Sequence, residues 1–299
     1  MALPFISYIT FNRMGLTARN INALLRTTDD FELHLLDSNS LDGTWEYLQS
    51  LTDKRIKSKD KLPANFGPIY AVNFNLAKRK PDQYFIALDS DVYIHSTDWI
   101  SRFMNVFREF PEVGVLGVPK PYSESSWMPQ VISRSTSHAN YLQLKNGHLG
   151  VPLDFVPGHC QCLRPELINI IGYWSEESYF GDAELSVRVN NYTPYKAGFT
   201  TDIAITMEQN IPCSSCEARA YCNLDKESNT CFGIHSAKYK NVAFVERNYW
   251  KYIEFFNELN AGKRTVYCAS IHDPLSMANH IYNADWAIDN FNYYVNNSN

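Results

Sequence analysis

The sequence lacks the long apolar segment and the basic leader that mark membrane-spanning and exported proteins. It has no run of about 18 apolar residues, so no membrane span is predicted. The first residues, Met-Ala-Leu-Pro-Phe-Ile, contain no basic region ahead of a long apolar stretch, so no signal peptide is predicted. From these two absences we expect a cytoplasmic protein.

An excess of basic residues is also missing, and so are internal repeats and low-complexity segments. The 299 residues carry a net charge of −5, which weakens the case for a nucleic-acid-binding surface without excluding nucleic acid as a partner. The densest basic run, 54–61, is typical of a solvated face. With 45% hydrophobic and 20% charged residues, the chain can bury a sizeable core, and global disorder is not expected.

The alternation of apolar and polar residues predicts an α/β fold. Strand patterns at 4–11, 32–37, 55–57, 84–89 and 113–118 alternate with helix patterns at 14–26, 42–51, 67–79 and 97–110. Such alternation predicts a mostly parallel sheet with helices on both faces. A long loop is predicted at 119–150, then strands at 153–157 and 160–163 and a helix at 181–191. We expect a catalytic domain at 1–208 and a C-terminal extension at 209–299, with a cysteine cluster and helices at 242–260 and 274–295.

Acidic residues follow the predicted strands at the sheet edge where ligands of open α/β sheets bind. Asp37 ends the second strand, and Asp89 and Asp91 follow the strand 84–89. Two carboxylates at a strand end need a compensating positive charge. Mg²⁺ or Mn²⁺ supplies one, because these ions take oxygen ligands and bridge to substrate phosphates. The alternative is a strand end whose acids cap the next element.

Four cysteines stand close together in the C-terminal extension. Cys213, Cys216, Cys222 and Cys231 include one Cys-x-x-Cys pair, a spacing that suits a structural tetrahedral Zn²⁺ site. An iron–sulfur cluster, two disulfides or free thiols are the alternatives. In each case we expect a structural role beside the ligand-binding cleft and no catalytic role.

Five short motifs, in order over residues 4–190, resemble those of family 2-like glycosyltransferases with the GT-A fold. They are Ile9-Thr-Phe-Asn-Arg13, Leu35-Leu-Asp-Ser-Asn-Ser-Leu-Asp-Gly-Thr44, Asn65-Phe-Gly-Pro-Ile-Tyr-Ala-Val-Asn73, Leu88-Asp-Ser-Asp91 and the segment Ile171–Arg188, which contains Gly-Asp-Ala-Glu-Leu. The last third of the chain has no such counterpart. One departure is Gly181, where the family usually has Glu.

The resemblance implies a role for each matching residue. Donor-binding residues would be Thr10, Asn12, Arg13, Asp37, Asn65, Gly67 and Asp89, with Asp37 on the nucleotide base. Asp89 and Asp91 would hold the metal, with His235 as a further ligand and His159 as the next candidate. Asp182 would be the catalytic base; its alternative role is that of an acid at a helix N-terminus.

The implied function is a metal-dependent, inverting hexosyltransferase-type enzyme that uses a nucleotide-sugar donor, with UDP-sugars favoured. The acceptor carries a hydroxyl and is a saccharide, a protein, a small molecule or a modified nucleobase. A nucleotidyltransferase is the alternative enzyme, but Thr10–Gly15 lacks the Gly-rich basic loop it needs. A non-catalytic carbohydrate- or nucleotide-binding module is the third reading, against which the four acids Asp37, Asp89, Asp91 and Asp182 argue.

Overall fold

Strands and helices alternate through the chain in the order that the sequence predicts for its first half. The computed structural model describes residues 2–119, 129–145, 154–207, 211–216, 219 and 230–298. The first elements are β1 (Phe5–Thr10), α1 (Met14–Leu25), β2 (Glu32–Asp37), α2 (Thr44–Ser50), β3 (Ile56–Lys61), α3 (Pro68–Leu76), β4 (Phe85–Asp89), β5 (Val92–Ile94), α4 (Trp99–Glu109) and β6 (Val113–Gly117). They are followed by β7 (Val131–Ser135), β8 (Asn140–Leu144), β9 (Cys160–Leu163), α5 (Pro165–Ile171), α6 (Gly181–Tyr192), β10 (Lys196–Phe199), β11 (Ile205–Met207), α7 (Cys231–Tyr239), α8 (Val242–Asn260), α9 (Pro274–Asn279) and α10 (Ala284–Asn297).

Nine of the described strands form one mixed, twisted sheet in the order β3-β2-β1-β4-β9-β6-β10-β8-β7. The pairs among β3, β2, β1 and β4 are parallel, as is β6 with β10, whereas β9, β8 and β7 run antiparallel to their neighbours. The strand order reverses between β1 and β4, whose ends at Ile9 and Asp89 lie side by side. A crevice for ligands is expected at such a reversal.

Two apolar clusters cover the two faces of the sheet, because successive side chains of a strand point to opposite sides. Ile6 and Leu88 pack with α1 and α4 on one face, and Phe5 and Ala87 pack with α3, α5 and α6 on the other. Helices on both faces of a mostly parallel sheet were predicted, and that prediction is confirmed. No helix in the described ranges has the length and apolar composition to cross a membrane.

Buried acids attach the C-terminal helices to the sheet domain. Glu176 accepts hydrogen bonds from Ser270 Oγ at 2.6 Å and Tyr282 Oη at 2.6 Å. Glu177 forms a buried ion pair with Arg264, whose Nη2 lies 3.0 Å from Glu177 Oε2. Residues 230–298 therefore pack directly against the sheet domain, and the predicted domain boundary at 208 remains a prediction.

Replacing Arg264 with methionine is expected to lower the free energy of unfolding by about 3–5 kcal/mol, because it leaves Glu177 buried without its cation. Both side chains of this pair are 5% exposed. Arg247→Met is the matched control, since its pair with Asp289 is half-exposed and contributes about 1 kcal/mol or less. Urea unfolding of both variants tests this expectation, and equal losses would contradict it.

Several predicted elements differ from the observed ones. The predicted loop 119–150 contains the hairpin β7–β8, which is stabilised by pairing with the distant strand β10. Residues 154–157, predicted as part of a strand, form none. The single helix predicted at 274–295 is two helices, α9 and α10, and α10 begins where the Asn283 side chain accepts from Trp286 N. Helix α7 was not predicted.

Candidate active site

Two adjoining cavities open at the strand reversal between β1 and β4. The first has a volume of about 290 Å³ and is lined by the exits of both strands and by α7. The second has a volume of about 480 Å³ and is lined by the start of α6 and by the segment 155–159. Asp89 and His235 line both cavities. After the roles that the sequence resemblance implies for their lining residues, we call the first the donor cavity and the second the acceptor cavity.

The exit of β1 forms one wall of the donor cavity in an unusual backbone conformation. Asn12 and Arg13 both have positive φ angles, of 55° and 63°. Their conformation is held by the loop after β2, since Asn12 N donates to Ser40 Oγ at 2.7 Å and Asn12 Oδ1 accepts from Leu41 N at 3.0 Å. Thr10 also lines the cavity, and its hydroxyl pairs with that of Thr17. The three residues predicted from the first motif are therefore brought together.

Asp37 lies beneath the donor cavity and does not form part of its wall. Its carboxylate is fully buried and accepts from Ser40 N at 3.0 Å and from Ser40 Oγ, with Lys61 Nζ at 3.9 Å. Burial raises the pKa of Asp37, while the bonds from Ser40 oppose that rise. In this conformation Asp37 holds the loop whose Ser38 lines the cavity. The predicted direct contact with the base remains a prediction.

Asp89 and Asp91 line the donor cavity beside the exit of β1, at the end of β4. Asp89 is exposed to both cavities, whereas Asp91 is mostly buried. Asp91 Oδ2 lies 3.2 Å from Arg13 Nη1, and Asp91 Oδ1 is buried with no hydrogen-bond partner. A buried carboxylate oxygen without a partner is costly, so Oδ1 is suited to accept a ligand.

Helix α7 covers the donor cavity and supplies the predicted histidine. Burial, together with the cations Lys240 and Arg13, lowers the pKa of His235 to about 4. A histidine with this pKa is neutral at pH 7, as a metal ligand must be. His159, the other candidate, is buried with Nε2 at 2.9 Å from Val118 O, so its ring is engaged by the backbone.

The side chains at this site suit a divalent cation whose remaining ligands would come from water and substrate. No three His, Cys, Asp or Glu side chains within the described parts of the chain stand close enough together to hold a metal. Asp89, Asp91 and His235 thus form no preassembled three-ligand site. The unpartnered Oδ1 of Asp91 and the neutral His235 are suitable ligands, and Mg²⁺-type ions usually complete their shell with water and substrate phosphates.

The third motif contributes Asn65 and Gly67 to the donor cavity. Asn65 Oδ1 accepts from Gly67 N, while Asn65 Nδ2 donates to Ser298 Oγ at 3.0 Å. Gly67 has a φ of 91°, and a Cβ added there would lie 2.5 Å from the ring of Tyr294. The glycine is therefore required both by the backbone conformation and by the close packing of α10.

Gly67→Ala is expected to destabilise the protein by more than about 2 kcal/mol, since it adds a clash with Tyr294 to an unfavourable φ. Gly43→Ala is the control, because Gly43 has a φ of 89° but open space around its Cβ position. Its expected loss is about 1–2 kcal/mol. Thermal unfolding of the two variants compares them, and equal stability would contradict the role assigned to Tyr294.

Asp182 lies in the first turn of α6 and lines the acceptor cavity. Its Oδ2 accepts from Gly158 N at 2.7 Å, and a Cβ on Gly158 would lie 2.7 Å from its Oδ1. Burial and the nearby charge of Asp182 raise the pKa of Tyr179 to about 12. The carboxylate is thus oriented by one backbone bond and faces the cavity on the side of the site away from the donor cavity.

The second acid of the same motif has a different role. Glu184 and Arg188 are fully buried and pair at 2.7 Å one helical turn apart, and Arg188 also donates to Ile171 O and Tyr173 O. This pair fixes α6 against the preceding segment. Of the two acids, Asp182 lines a cavity and Glu184 does not.

The structure adds cavity residues that the sequence motifs did not indicate. These come from α7 and α10: Cys231, Phe232, Ile234, Lys238, Tyr239 and Tyr294. Lys238 and Arg13 add positive charge to the donor cavity, and Arg13 pairs directly with Asp91. The family resemblance indicated His235 only, because no local signal tells which face of a C-terminal helix returns to the sheet.

The cysteine cluster is not assembled as a zinc site in the described residues. Cys222 lies outside the described ranges, Cys213 is buried, and Cys216 is partly exposed. Cys231 lines the donor cavity and contacts Arg13. Pro212 and Thr230 form a β-bridge beside these cysteines. The structure gives the zinc prediction no support, and the predicted structural role of the cluster beside the ligand-binding cleft remains a prediction.

Comparison with known proteins agrees with this geometry. The sequence profile of Glycosyl transferase family 2 matches residues 6–171, which is more than half of the chain. No curated protein matches the sequence. The family match favours a glycosyltransferase over the alternative nucleotidyltransferase.

Solved structures with the same fold are similar over most of this chain. The mannosyltransferase PcManGT from Pyrobaculum calidifontis, in complex with GDP-Man and Mn²⁺, superposes with a TM-score of 0.53 at 13% identity, covering 100% of this chain and 86% of that one. S. aureus TarS 1-349 with UDP-GlcNAc has a TM-score of 0.52 at 16% identity, covering 99% and 82%. A longer TarS chain has a TM-score of 0.51 at 18% identity. That match covers 76% of this chain but only 41% of the TarS chain. At these identities the likeness shows the fold alone.

Proposed function

Because the chain belongs to glycosyl transferase family 2, we propose that it is a metal-dependent, inverting glycosyltransferase that moves a sugar from a nucleotide donor to an acceptor hydroxyl. This proposal rests on one observation: the two cavities share Asp89 and His235 as lining residues. Asp91 lines the donor cavity, and Asp182 lines the acceptor cavity. The two cavities together have the arrangement that a donor and an acceptor require.

The donor cavity suits a nucleoside diphosphate. Arg13 and Lys238 offer positive charge, and the neighbouring carboxylates Asp89 and Asp91 accommodate a divalent cation. Mn²⁺ or Mg²⁺, when bound, neutralises the negative charge that develops on the departing diphosphate. Asn65, Ser38 and Thr10 line the remaining wall and offer polar groups to the nucleoside. A UDP-sugar is the donor that we propose, with GDP-mannose as the comparison donor because of its place in PcManGT.

Asp182 has the position of a general base. It lies in the acceptor cavity, where its carboxylate can take the proton of a hydroxyl that attacks the anomeric carbon. A single base that activates the acceptor on the face opposite the leaving group implies inversion of the anomeric configuration. The aromatic side chains Trp174, Tyr179 and Phe180 line the same cavity and offer flat apolar surfaces to an acceptor.

The requirement on the acceptor is a reactive hydroxyl, which saccharides, proteins, small molecules and modified nucleobases all offer. Mass spectrometry of products from a panel of donors, starting with UDP-glucose, UDP-N-acetylglucosamine and GDP-mannose, tests the proposal. We expect one donor to lose its sugar in the presence of Mn²⁺ and not in EDTA. Intact donors throughout the panel, with tight nucleotide binding, would favour a non-catalytic binding module.

A further inference from the structure

The Arg13–Asp91 ion pair joins a donor-side cation to the carboxylate that is best placed to hold a metal. Arg13 Nη1 lies 3.2 Å from Asp91 Oδ2, and Arg13 Nη2 lies 3.4 Å from Ser90 Oγ. Their side chains are 20% and 12% exposed. In this state the arginine supplies the positive charge that the partly buried carboxylate needs.

The backbone around Arg13 is fixed, so the guanidinium can change partners only by rotation of its side chain. Arg13 is the N-cap of α1 with a φ of 63°, and its carbonyl accepts from Thr17 N at 3.0 Å. The residues on either side are held by the loop after β2, since Met14 N donates to Asp42 Oδ2 at 3.0 Å and Asn12 N to Ser40 Oγ at 2.7 Å. The long side chain already lies in the wall of the donor cavity.

Two cations compete for Asp91. An oxygen ligand lies about 2.0–2.2 Å from a bound Mg²⁺-type ion, which puts a guanidinium on the same carboxylate within about 4–5 Å of that ion. Like charges at this distance repel strongly in a partly buried site. When the Asp91 carboxylate binds the ion, its ion pair with Arg13 is therefore weakened. A diphosphate in the same cavity offers the guanidinium a new anion.

We propose that Arg13 alternates between two anions: it pairs with Asp91 in the metal-free protein and moves to the donor diphosphate when Asp91 holds the cation. This inference rests on the proposed function. It makes cation and donor binding mutually dependent, because the same side chain opposes the cation in the absence of donor and holds the donor once the cation is present. Arg13 is thus a positioning residue that prevents tight metal binding before the donor arrives.

The test measures Mn²⁺ binding without nucleotide, by the electron paramagnetic resonance signal of free Mn²⁺, in the full chain. We expect Arg13→Gln to bind Mn²⁺ about tenfold more tightly than the wild type, because the competing charge is gone. With Mn²⁺ saturating, calorimetry with UDP and with GDP should show about tenfold weaker binding to the same variant. The two changes have opposite signs, which general damage to the site cannot produce.

Two further variants make the result decisive. Arg13→Lys keeps the charge, so its Mn²⁺ affinity should stay within about threefold of the wild type. Arg19→Gln is the control, since Arg19 lies on the same helix with its guanidinium 4.9 Å from the ring of Tyr93 and outside both cavities. It should change neither affinity.

An Mn²⁺ affinity of Arg13→Gln that is equal to or lower than that of the wild type would overturn the inference, and so would unchanged nucleotide affinity. Neither result contradicts the proposed function if the wild-type protein binds Mn²⁺ and Asp91→Asn does not. A wild-type protein that binds neither Mn²⁺ nor either nucleotide would contradict the proposed function itself. The two failures are therefore distinguishable.

Discussion

Asp91→Asn is expected to abolish Mn²⁺-dependent turnover of the donor while leaving the fold intact. The substitution removes the negative charge and replaces one of the two carboxylate oxygens with an amide NH₂ group, so the unpartnered Oδ1 position no longer offers a carboxylate oxygen to a metal. An amide is a much weaker ligand for an ion that prefers carboxylate oxygens. The expected loss of turnover is at least about 10³-fold, because the developing charge on the diphosphate is no longer neutralised.

Donor hydrolysis and transfer, measured with and without EDTA, check this result. Asp98→Asn is the matched control, because Asp98 is an exposed acid whose ion pair with Arg102 lies on the surface. It should retain full activity. Full activity of Asp91→Asn in EDTA would contradict the assignment of Asp91 to the metal.

Asp182→Asn is expected to lower kcat by about 10²-fold or more with nearly unchanged KM for the donor. The reason is its place in the acceptor cavity, away from the nucleotide side, where its loss removes a proton acceptor and no donor contact. Asparagine has nearly the same shape and can still accept the bond from Gly158 N. Steady-state kinetics at saturating acceptor give both constants.

The control for this prediction is Asp285→Asn, the same substitution in the first turn of α10. If Asp182 only stabilised the N-terminus of its helix, both variants would lose some tenths of a kcal/mol in stability and no activity. Equal losses of donor binding and turnover in Asp182→Asn would instead show that this residue is structural or binds the donor.

The first half of the fold and the acids at its strand ends were predictable because their signals are local. Each strand is a short apolar run, and parallel strands bring their carboxyl ends to one edge, so Asp37, Asp89 and Asp91 could be placed at that edge from the pattern alone. Thr10, Asn12 and Arg13 were indicated by the family resemblance. The proximity of the two sets is now visible in the 3.2 Å contact between Arg13 and Asp91. The helix α6 and the position of Asp182 in its first turn were also predicted.

Structural features that depend on contacts with residues far away in the sequence could not be predicted from it. Helix α7 reaches the donor cavity through contacts such as Asn65 with Tyr239, and nothing in its own sequence specifies that contact. The hairpin β7–β8 needs β10 beside it, which a periodicity argument cannot supply. The burial of Asp37 under Ser40 also depends on how one loop folds back on itself, and the predicted contact of Asp37 with the nucleotide base remains a prediction.

The central claim is that this site breaks the bond between the sugar and the diphosphate of a nucleotide sugar with the help of a divalent cation. Phosphorus-31 NMR of reactions run with Mn²⁺ or with EDTA, recorded after EDTA has been added to every sample to chelate the paramagnetic Mn²⁺, identifies which phosphorus compounds are released. The account predicts Mn²⁺-dependent release of an intact nucleoside diphosphate. Release of nucleoside monophosphate or pyrophosphate would show cleavage at phosphorus and contradict it.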